Sequence, residues 1–293
     1  MTVARGVAVL LVAALSGCGA GDAGFDLALP LDAYDLSAAE RRVVDEVRFR
    51  LLADCTRTYG VELKPSPPSA RGPEEHRNAA YLGWLGDRQV EIYGYAGPPS
   101  PPVIDYTTYP VSDEQIVVLE GKRGKFHGRA VPAGGCLRRT EAILDQGSVG
   151  LLGSKAARVR EEQDFFLLAN DASGQASADP RVRRAEQVWS DCMKDEGFDY
   201  PYAGAAVADP RWARTAKSGQ PRKVTAAEIA TATADVACRD TTGYYAARRA
   251  AYRDSQQRII ADNRARLDRI KTINRVQLEN ARRYLAGELV ATW

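Results

Sequence analysis

The chain has 293 residues, of which 45% are hydrophobic, so it is long enough for one large domain or two small domains with buried cores. Lys and Arg total 40 against 38 Asp and Glu, which gives a formal net charge of +2. This near-neutral balance argues against a dedicated binder of polyanions, and no nucleic-acid partner is expected.

The N-terminus predicts export and a lipid anchor. Residues 1–5 carry a positive charge, residues 6–15 are almost wholly apolar, and Leu15-Ser16-Gly17-Cys18 follows. An apolar run this short cannot span a bilayer, and its small-residue ending is typical of a cleaved export signal. The segment resembles a bacterial lipoprotein signal, in which residues 1–17 are removed and Cys18 carries palmitate or a similar acyl chain. The alternative is an ordinary secretory signal with a chance cysteine. A lipid on Cys18 would anchor the protein at the extracytoplasmic face of the cell membrane without a spanning helix.

A short repeat organises the rest of the chain. Leu51–Leu63 and Val188–Tyr200 each contain an Asp-Cys pair followed by a glycine five residues after the cysteine. Helical spacing of apolar residues before each glycine predicts that each copy is the end of a helix. One further cysteine follows each copy.

Cysteine usage predicts two disulfides. Apart from Cys18, the chain has four cysteines, an even number in a chain predicted to be exported. Three pairings are possible, and the repeat favours Cys55 with Cys136 and Cys192 with Cys238. A zinc site is the alternative, but no pair has ligand spacing and the histidines are limited to His76 and His127. No metal or cofactor is predicted.

The elements predict a mainly α fold of two disulfide-stapled helical lobes, with a small β/loop region in the first lobe and a long C-terminal helix. Capping boxes at Ser37 and Thr225 predict helix starts, as does Asp179-Pro180. Proline-rich loops and β-branched residues predict a small sheet between residues 61 and 132, with short strands at Gln89–Tyr95 and Gln115–Leu119. The predicted organisation is a signal (1–17), a flexible tether (18–36), a first lobe (37–172), a second lobe (173–243) and the terminal helix (244–293).

Aromatic residues concentrate in the loop region of the first lobe. Tyr81, Trp84, Tyr93 and Tyr95 are candidates for a groove that holds a peptide or a sugar, because aromatic rings supply flat contact area with a polar edge. The alternative is that they pack under the loops as local core.

The terminal helix is the longest predicted element. Residues 244–286 hold 11 Lys and Arg against 4 Asp and Glu, beside a narrow apolar stripe. The stripe predicts packing of one edge on the body, although a projecting arm is the alternative. Its basic face could contact the anionic leaflet, a wall polymer or a protein, and its stripe could pair with a partner helix. An ordinary solvated face is the simpler interpretation.

No catalytic motif is present in the sequence, so no catalytic residues are predicted. No serine lies between glycines at elbow spacing, and the histidines have no signature around them. A carboxylate pair for wall hydrolysis remains an alternative, and the repeat singles out Asp54 and Asp191, for which a structural role is simpler.

Several segments together resemble a group of uncharacterised actinobacterial secreted lipoproteins. They are the signal ending at Cys18, Asp179–Val182, Trp189–Met193 with Gly197-Phe198, Gly134–Cys136 and the basic terminal helix. The resemblance covers most of the mature chain and implies surface location and paired disulfides, without catalytic residues. The expected function is an extracytoplasmic protein- or cell-wall-interaction module, and the alternative is a lipoprotein that binds a small ligand or peptide at the aromatic loops.

Overall fold

A computed structural model describes residues 26–68, 76–148, 155–212 and 223–293, with the backbone alone for residues 155–164. The predicted signal (1–17) and the predicted lipidation site Cys18 lie outside these residues. The fold is mainly helical, with two disulfides and a long C-terminal helix, which confirms the predicted fold class. Within the described ranges, no helix is both long enough and apolar enough to cross a membrane.

The described helices run in chain order. They are α1 (Ala38–Arg57), α2 (Ala79–Leu82), α3 (Val90–Tyr93), α4 (Asp113–Glu120), α5 (Gly135–Leu144), α6 (Lys155–Ser177), α7 (Pro180–Asp195), α8 (Ala203–Val207), α9 (Ala226–Thr241) and α10 (Tyr244–Leu285). Between α4 and α5, strands β1 (Lys125–Phe126) and β2 (Arg129–Ala130) pair antiparallel, with Lys125 opposite Ala130.

The repeat corresponds to two helices that end in the same turn. After α1, the N–H of Val61 donates to the carbonyl of Thr56 at 3.1 Å, around Gly60 at φ +78°. After α7, the N–H of Phe198 donates to the carbonyl of Met193 at 2.8 Å, around Gly197 at φ +87°. Both glycines adopt the left-handed conformation typical of a helix C-terminus. In each case the hydrogen bond that ends the helix joins an N–H to the carbonyl five positions earlier.

Each of these helices carries one disulfide, in the pairing that the repeat favours. Cys55 on α1 bonds Cys136 on α5, and Cys192 on α7 bonds Cys238 on α9. The two bridges lie in separate hydrophobic clusters, one built on Phe49 and Val118 and the other on Trp189.

Two segments predicted as strands are helical instead. Residues 90–93 form α3, and residues 113–120 form α4. The α4 start is fixed by a capping box in which Ser112 Oγ accepts from the N–H of Gln115, and Gln115 Oε1 accepts from the N–H of Ser112. β-branched residues in so short a run do not distinguish a strand from a buried helix, so the cap and the packing decide.

Residues 26–36, predicted as part of a flexible tether, belong to the folded body instead. Leu29 and Leu31 are each 4% exposed, and Pro30–Tyr34 form a 3-10 turn. The N–H of Leu31 donates to Gln256 Oε1 on α10 at 2.9 Å. Residues 18–25 of the predicted tether lie outside the described residues.

Helix α10 packs along the body and does not project as an arm. Its stripe, including Ile259, Leu267 and Ile270, is buried against α6 and the N-terminal segment. Asn263 interrupts the helix with φ −125° and ψ 18°, and its side-chain amide donates to the carbonyl of Ile259 at 3.0 Å. This side-chain insertion accounts for a kink between the two halves of α10.

The predicted boundary between residues 172 and 173 falls inside α6. This helix is continuous to Ser177 and packs along α10, burying Leu168 and Ala172. The two disulfide clusters are therefore joined by packed helices, with α10 in contact with α1 at one end and with α7 and α9 at the other.

Candidate ligand-binding cavity

A buried ion pair lies in the interior of the second lobe. Asp235 and Arg239 lie four residues apart on α9, and their side chains are 0% and 2% exposed. Arg239 donates to both carboxylate oxygens of Asp235, from Nε at 2.6 Å and from Nη2 at 2.8 Å. The same carboxylate accepts from Trp189 Nε1 at 2.8 Å and from the Tyr95 hydroxyl at 3.0 Å. A buried charge pair is tolerated only when its remaining hydrogen-bonding capacity is satisfied, and here four bonds converge on one carboxylate.

Tyr95 is fixed to α9 at two points. Its backbone N–H donates to Glu228 Oε1 at 3.1 Å, while its hydroxyl donates to Asp235. Burial, with the adjacent Asp235 carboxylate, raises the pKa of Tyr95 well above its ordinary value, so the hydroxyl stays protonated. Tyr95 is therefore a core residue.

A glycine allows Arg239 to reach the loop after α2. Gly83 has φ +66°, and its carbonyl accepts from Arg239 Nη1 at 2.5 Å. A Cβ at this position would lie 2.7 Å from that same nitrogen and 3.0 Å from the Tyr244 ring. Both the left-handed backbone and the close approach require glycine here.

A second charged group lies beside the first. Glu186 on α7 accepts from the Tyr244 hydroxyl at 2.9 Å, from Arg248 Nη1 at 3.2 Å and from the N–H of Ala203 at 2.8 Å. Arg248 also donates to the carbonyl of Tyr81 from Nε and Nη2, at 3.1 and 2.7 Å. Burial raises the pKa of Tyr244 to about 12, so its hydroxyl remains a donor at neutral pH.

These groups border a cavity of about 650 Å³ between α2, α7, α8 and the start of α10. Its lining includes four arginines and, among the described residues, a single carboxylate, Glu186. The arginines are Arg88, Arg183, Arg239 and Arg248. We call this site the arginine cavity. The volume falls in the range of small-molecule sites.

The charge of the arginine cavity is positive after its internal pairs are counted. Asp235 balances Arg239, and Glu186 balances Arg248. Arg88 donates to the carbonyl of Tyr95, which is a neutral partner. Arg183 is exposed at the rim, and no hydrogen bond or ion pair links it to the described part of the chain. Arg183 is therefore a cation at the cavity that no carboxylate of the described residues neutralises, and its charge is the basis for a positive cavity.

Apolar and aromatic surface completes the lining. Trp84 lies on one wall, with its ring centroid 5.0 Å from that of Tyr245, and its Nε1 donates to Asp87. Tyr202 is 55% exposed at the mouth, and Val182 and Val207 supply aliphatic contacts. The cavity thus combines cations with flat apolar surface, which suits a ligand that has an anionic group and an apolar part.

The structure separates the four residues of the predicted aromatic groove. Trp84 lines the arginine cavity. Tyr81 contributes its backbone carbonyl to Arg248, and its ring packs 5.8 Å from Tyr252. Tyr95 is 4% exposed in the core, and the half-buried Tyr93 is outside the cavity lining. The four do not form one groove, and the local-core interpretation holds for Tyr95.

The two repeated aspartates have different partners and do not converge. Asp54 accepts from Arg57 at 2.7 Å and from the Tyr284 hydroxyl at 2.8 Å. Asp191 accepts from Gln187 Nε2 at 3.0 Å. Within the described residues, no group of three or more His, Cys, Asp or Glu side chains is arranged to hold a metal ion.

The basic face of α10 remains exposed, although its apolar stripe is buried. Arg258, Arg275 and Arg282 are exposed on α10. The apolar stripe of α10 is buried in hydrophobic clusters with other elements of the fold. A partner of α10 would therefore meet a cationic polar surface, because the stripe is already covered.

The residues that build the cavity come from segments far apart in sequence. Asp235 and Arg239 have the spacing of a helical ion pair, which is a visible signal on α9. Nothing in the sequence indicates that Glu186 and Arg248 would meet, since 62 positions separate them.

Comparison of the chain with protein-family models, with curated proteins and with solved structures gives no match.

Proposed function

We propose that this protein is an extracytoplasmic binding module, held at the cell membrane by a lipid on Cys18, that binds a small ligand or short peptide in the arginine cavity. The single observation that carries the binding proposal is the excess of arginine in a cavity walled by Trp84 and Tyr202. The anchor rests on the sequence before Cys18, and two disulfides in the fold agree with an oxidising compartment.

The arrangement suits binding more than catalysis. Glu186 is held by three hydrogen bonds that use both of its oxygens. Arg239 and Arg248 are likewise fixed by carbonyl and carboxylate partners. These groups therefore form a rigid wall, and preorganised walls favour affinity and specificity.

A pair of ligands that differ in charge tests the proposal. N-acetylmuramic acid carries a carboxylate that N-acetylglucosamine lacks, and an acidic tripeptide can be compared with its amide. At about 100 times the dissociation constant, an anionic ligand should stabilise the protein by about 2.7 kcal/mol and raise the melting temperature by roughly 5–10 °C. The neutral member of each pair should produce a much smaller shift.

Two neighbouring arginines provide a matched control. Arg183→Gln removes the exposed cation at the rim and should abolish most of the shift. Arg184→Gln removes an exposed cation that does not line the cavity and should leave the shift intact. Equal shifts for charged and neutral ligands, or none with any compound, would contradict the proposal.

A second candidate function uses α10. Its exposed arginines favour an acidic wall polymer or protein as partner. Membrane pull-downs with the intact chain and with Arg258→Gln, Arg275→Gln and Arg282→Gln combined would test it. An unchanged set of captured partners would count against this role.

A further inference from the structure

The first residues that the structure describes, from Asp26, lie beside the arginine cavity. Asp26, the first described residue, forms an ion pair with Arg249, which is adjacent to the cavity residue Arg248. The carbonyl of Leu27 accepts from Asn78 Nδ2 at 2.9 Å, and Asn78 directly precedes Ala79, which lines the cavity.

From Asp26 onward the segment runs along α10 away from the cavity. The N–H of Leu31 meets Gln256, the carbonyl of Tyr34 accepts from Asn274 at 3.3 Å, and Glu40 lies 3.8 Å from Arg282. Successive residues therefore contact successively later turns of α10. Asp26, the described residue nearest to Cys18 in the sequence, therefore lies at the cavity end of α10.

Only residues 19–25 separate Cys18 from Asp26. Even fully extended, a connection of this length spans about 25–30 Å. Along α10, Leu285 lies 36 positions after Arg249, a separation of about 54 Å if the helix were straight. An anchor at Cys18 would thus lie within about 30 Å of Asp26 at the cavity end of α10, whereas α1 of the first disulfide lobe packs against the far half of α10.

We infer that the arginine cavity faces the membrane and binds the phosphate headgroup of an anionic phospholipid. This inference rests on the proposed function, both for the lipid on Cys18 and for the cavity as a binding site. It adds the class of ligand and the orientation of the body.

The chemistry of the cavity fits such a headgroup. A phosphodiester carries one negative charge and several acceptor oxygens, and guanidinium groups bind these oxygens with two parallel hydrogen bonds. Arg183 at the rim is exposed and without a partner in the described part of the chain, so it can turn towards a headgroup. Tyr202 and Trp84 have an apolar ring and a polar edge, as residues at a membrane interface do. The negative potential of an anionic leaflet attracts the exposed guanidinium of Arg183 at the rim of the cavity.

Site-specific photo-cross-linking in membranes tests the orientation. Benzoylphenylalanine is introduced at Tyr202, which is 55% exposed at the cavity mouth, or at Val290, which is 77% exposed beyond the far end of α10. The intact lipidated protein is placed in phosphatidylcholine membranes with or without phosphatidylglycerol. We expect at least fivefold more lipid adduct from position 202 than from position 290, and an increase with phosphatidylglycerol at position 202 alone. Equal adducts at both positions would overturn the inference.

Two changes to the chain separate the cavity from the anchor. Arg183→Gln should reduce the adduct at position 202 at least threefold, whereas Arg184→Gln should not change it. A 30-residue Gly/Ser insertion after Ala20 lets the body move away from the bilayer. Strong headgroup binding should then preserve the dependence on phosphatidylglycerol, while adducts due to the anchor alone should fall in both lipid mixtures. An adduct yield at position 202 that changes neither with Arg183→Gln nor with phosphatidylglycerol would contradict headgroup binding.

Soluble glycerol 3-phosphate distinguishes failure of this inference from failure of the proposed function. One outcome is that it raises the melting temperature of the unsubstituted protein but not of Arg183→Gln, while the membrane adducts show no preference for position 202. The cavity then binds soluble anions and does not bind a headgroup of the bilayer. Lack of a thermal shift with every anion, together with absent cross-linking at position 202, would remove both proposals. If mass spectrometry of the intact protein shows no lipid on Cys18, the membrane inference is overturned. The proposal that the cavity binds a ligand is unaffected by that result.

Discussion

Asp235 and Arg239 form a bidentate ion pair at the centre of the second lobe, where water reaches neither side chain appreciably. Trp189 and Tyr95 converge on the same carboxylate from two other elements. The pair therefore connects α7, α9 and the loop before α4.

Asp235→Asn should destabilise the protein by about 3–5 kcal/mol, because it leaves a buried guanidinium without its charge partner. Urea denaturation measures the change in the free energy of unfolding. The control Asp191→Asn removes an exposed carboxylate of the same lobe and should cost less than about 0.5 kcal/mol. Similar effects of the two substitutions would show that the buried pair contributes little.

Gly83→Ala should destabilise the protein more than Gly243→Ala. Both glycines have positive φ, +66° and +71°, so both substitutions introduce backbone strain of about 1–2 kcal/mol. A Cβ at Gly83 would in addition collide with Arg239, whereas one at Gly243 meets no heavy atom within 4 Å. Thermal denaturation of the two variants isolates the contribution of the close contact. Equal melting temperatures would mean that Arg239 moves aside at little cost.

Each disulfide should stabilise the fold by a similar amount. The bridges Cys55–Cys136 and Cys192–Cys238 join residues 81 and 46 positions apart. Loop-closure entropy depends only on the logarithm of this separation, so replacing either pair with alanine should cost about 4 kcal/mol, with a difference below about 1 kcal/mol. Denaturant titration of the two double variants measures this. A much larger loss at one bridge would indicate that the reduced lobe also loses packing.

The protein should lose stability between about pH 10 and pH 12 through Tyr244. Burial raises the pKa of Tyr244 to about 12 in the folded state, above its ordinary value of about 10. In this interval the unfolded chain releases the hydroxyl proton and the folded chain retains it, so a rising pH favours unfolding. The contribution is fully present below pH 10 and absent above pH 12. Alkaline denaturation followed by circular dichroism should show a shallower decline for Tyr244→Phe than for the unsubstituted protein, and parallel curves would contradict this assignment.

Local signals in the sequence predict part of the fold well. The Ser37 capping box forms as expected, with Ser37 Oγ 3.2 Å from the N–H of Glu40, and Gly60 and Gly197 end their helices. These features depend on residues within one turn, so the sequence contains all the information that they need.

Features set by distant contacts were not predictable in the same way. Leu29 and Leu31 alternate with small or polar residues and have no helical period, and their burial depends on α10 more than 200 positions later. The N–H of Glu228 donates to Thr225 Oγ1, as a cap predicts, but the Glu228 carboxylate accepts from the N–H of Tyr95 on another element. The sequence identifies Trp84 as a candidate ligand-binding residue, because several aromatic residues lie near it in the chain. Arg88 lies only four residues after Trp84, but the other three arginines of the cavity come from α7, α9 and α10, and only folding brings them to Trp84.

The course of α10 has a consequence for how the molecule unfolds. Its first turns, at Tyr244 and Tyr245, belong to the cluster around Trp189, while Leu278 and Ala281 pack with Val47 and Leu51 of α1. Neither lobe can keep its full core once this helix is released, and the kink at Asn263 lets one continuous backbone enter both. We therefore expect cooperative loss of both lobes in one transition, with coincident denaturation curves from tryptophan fluorescence and from circular dichroism.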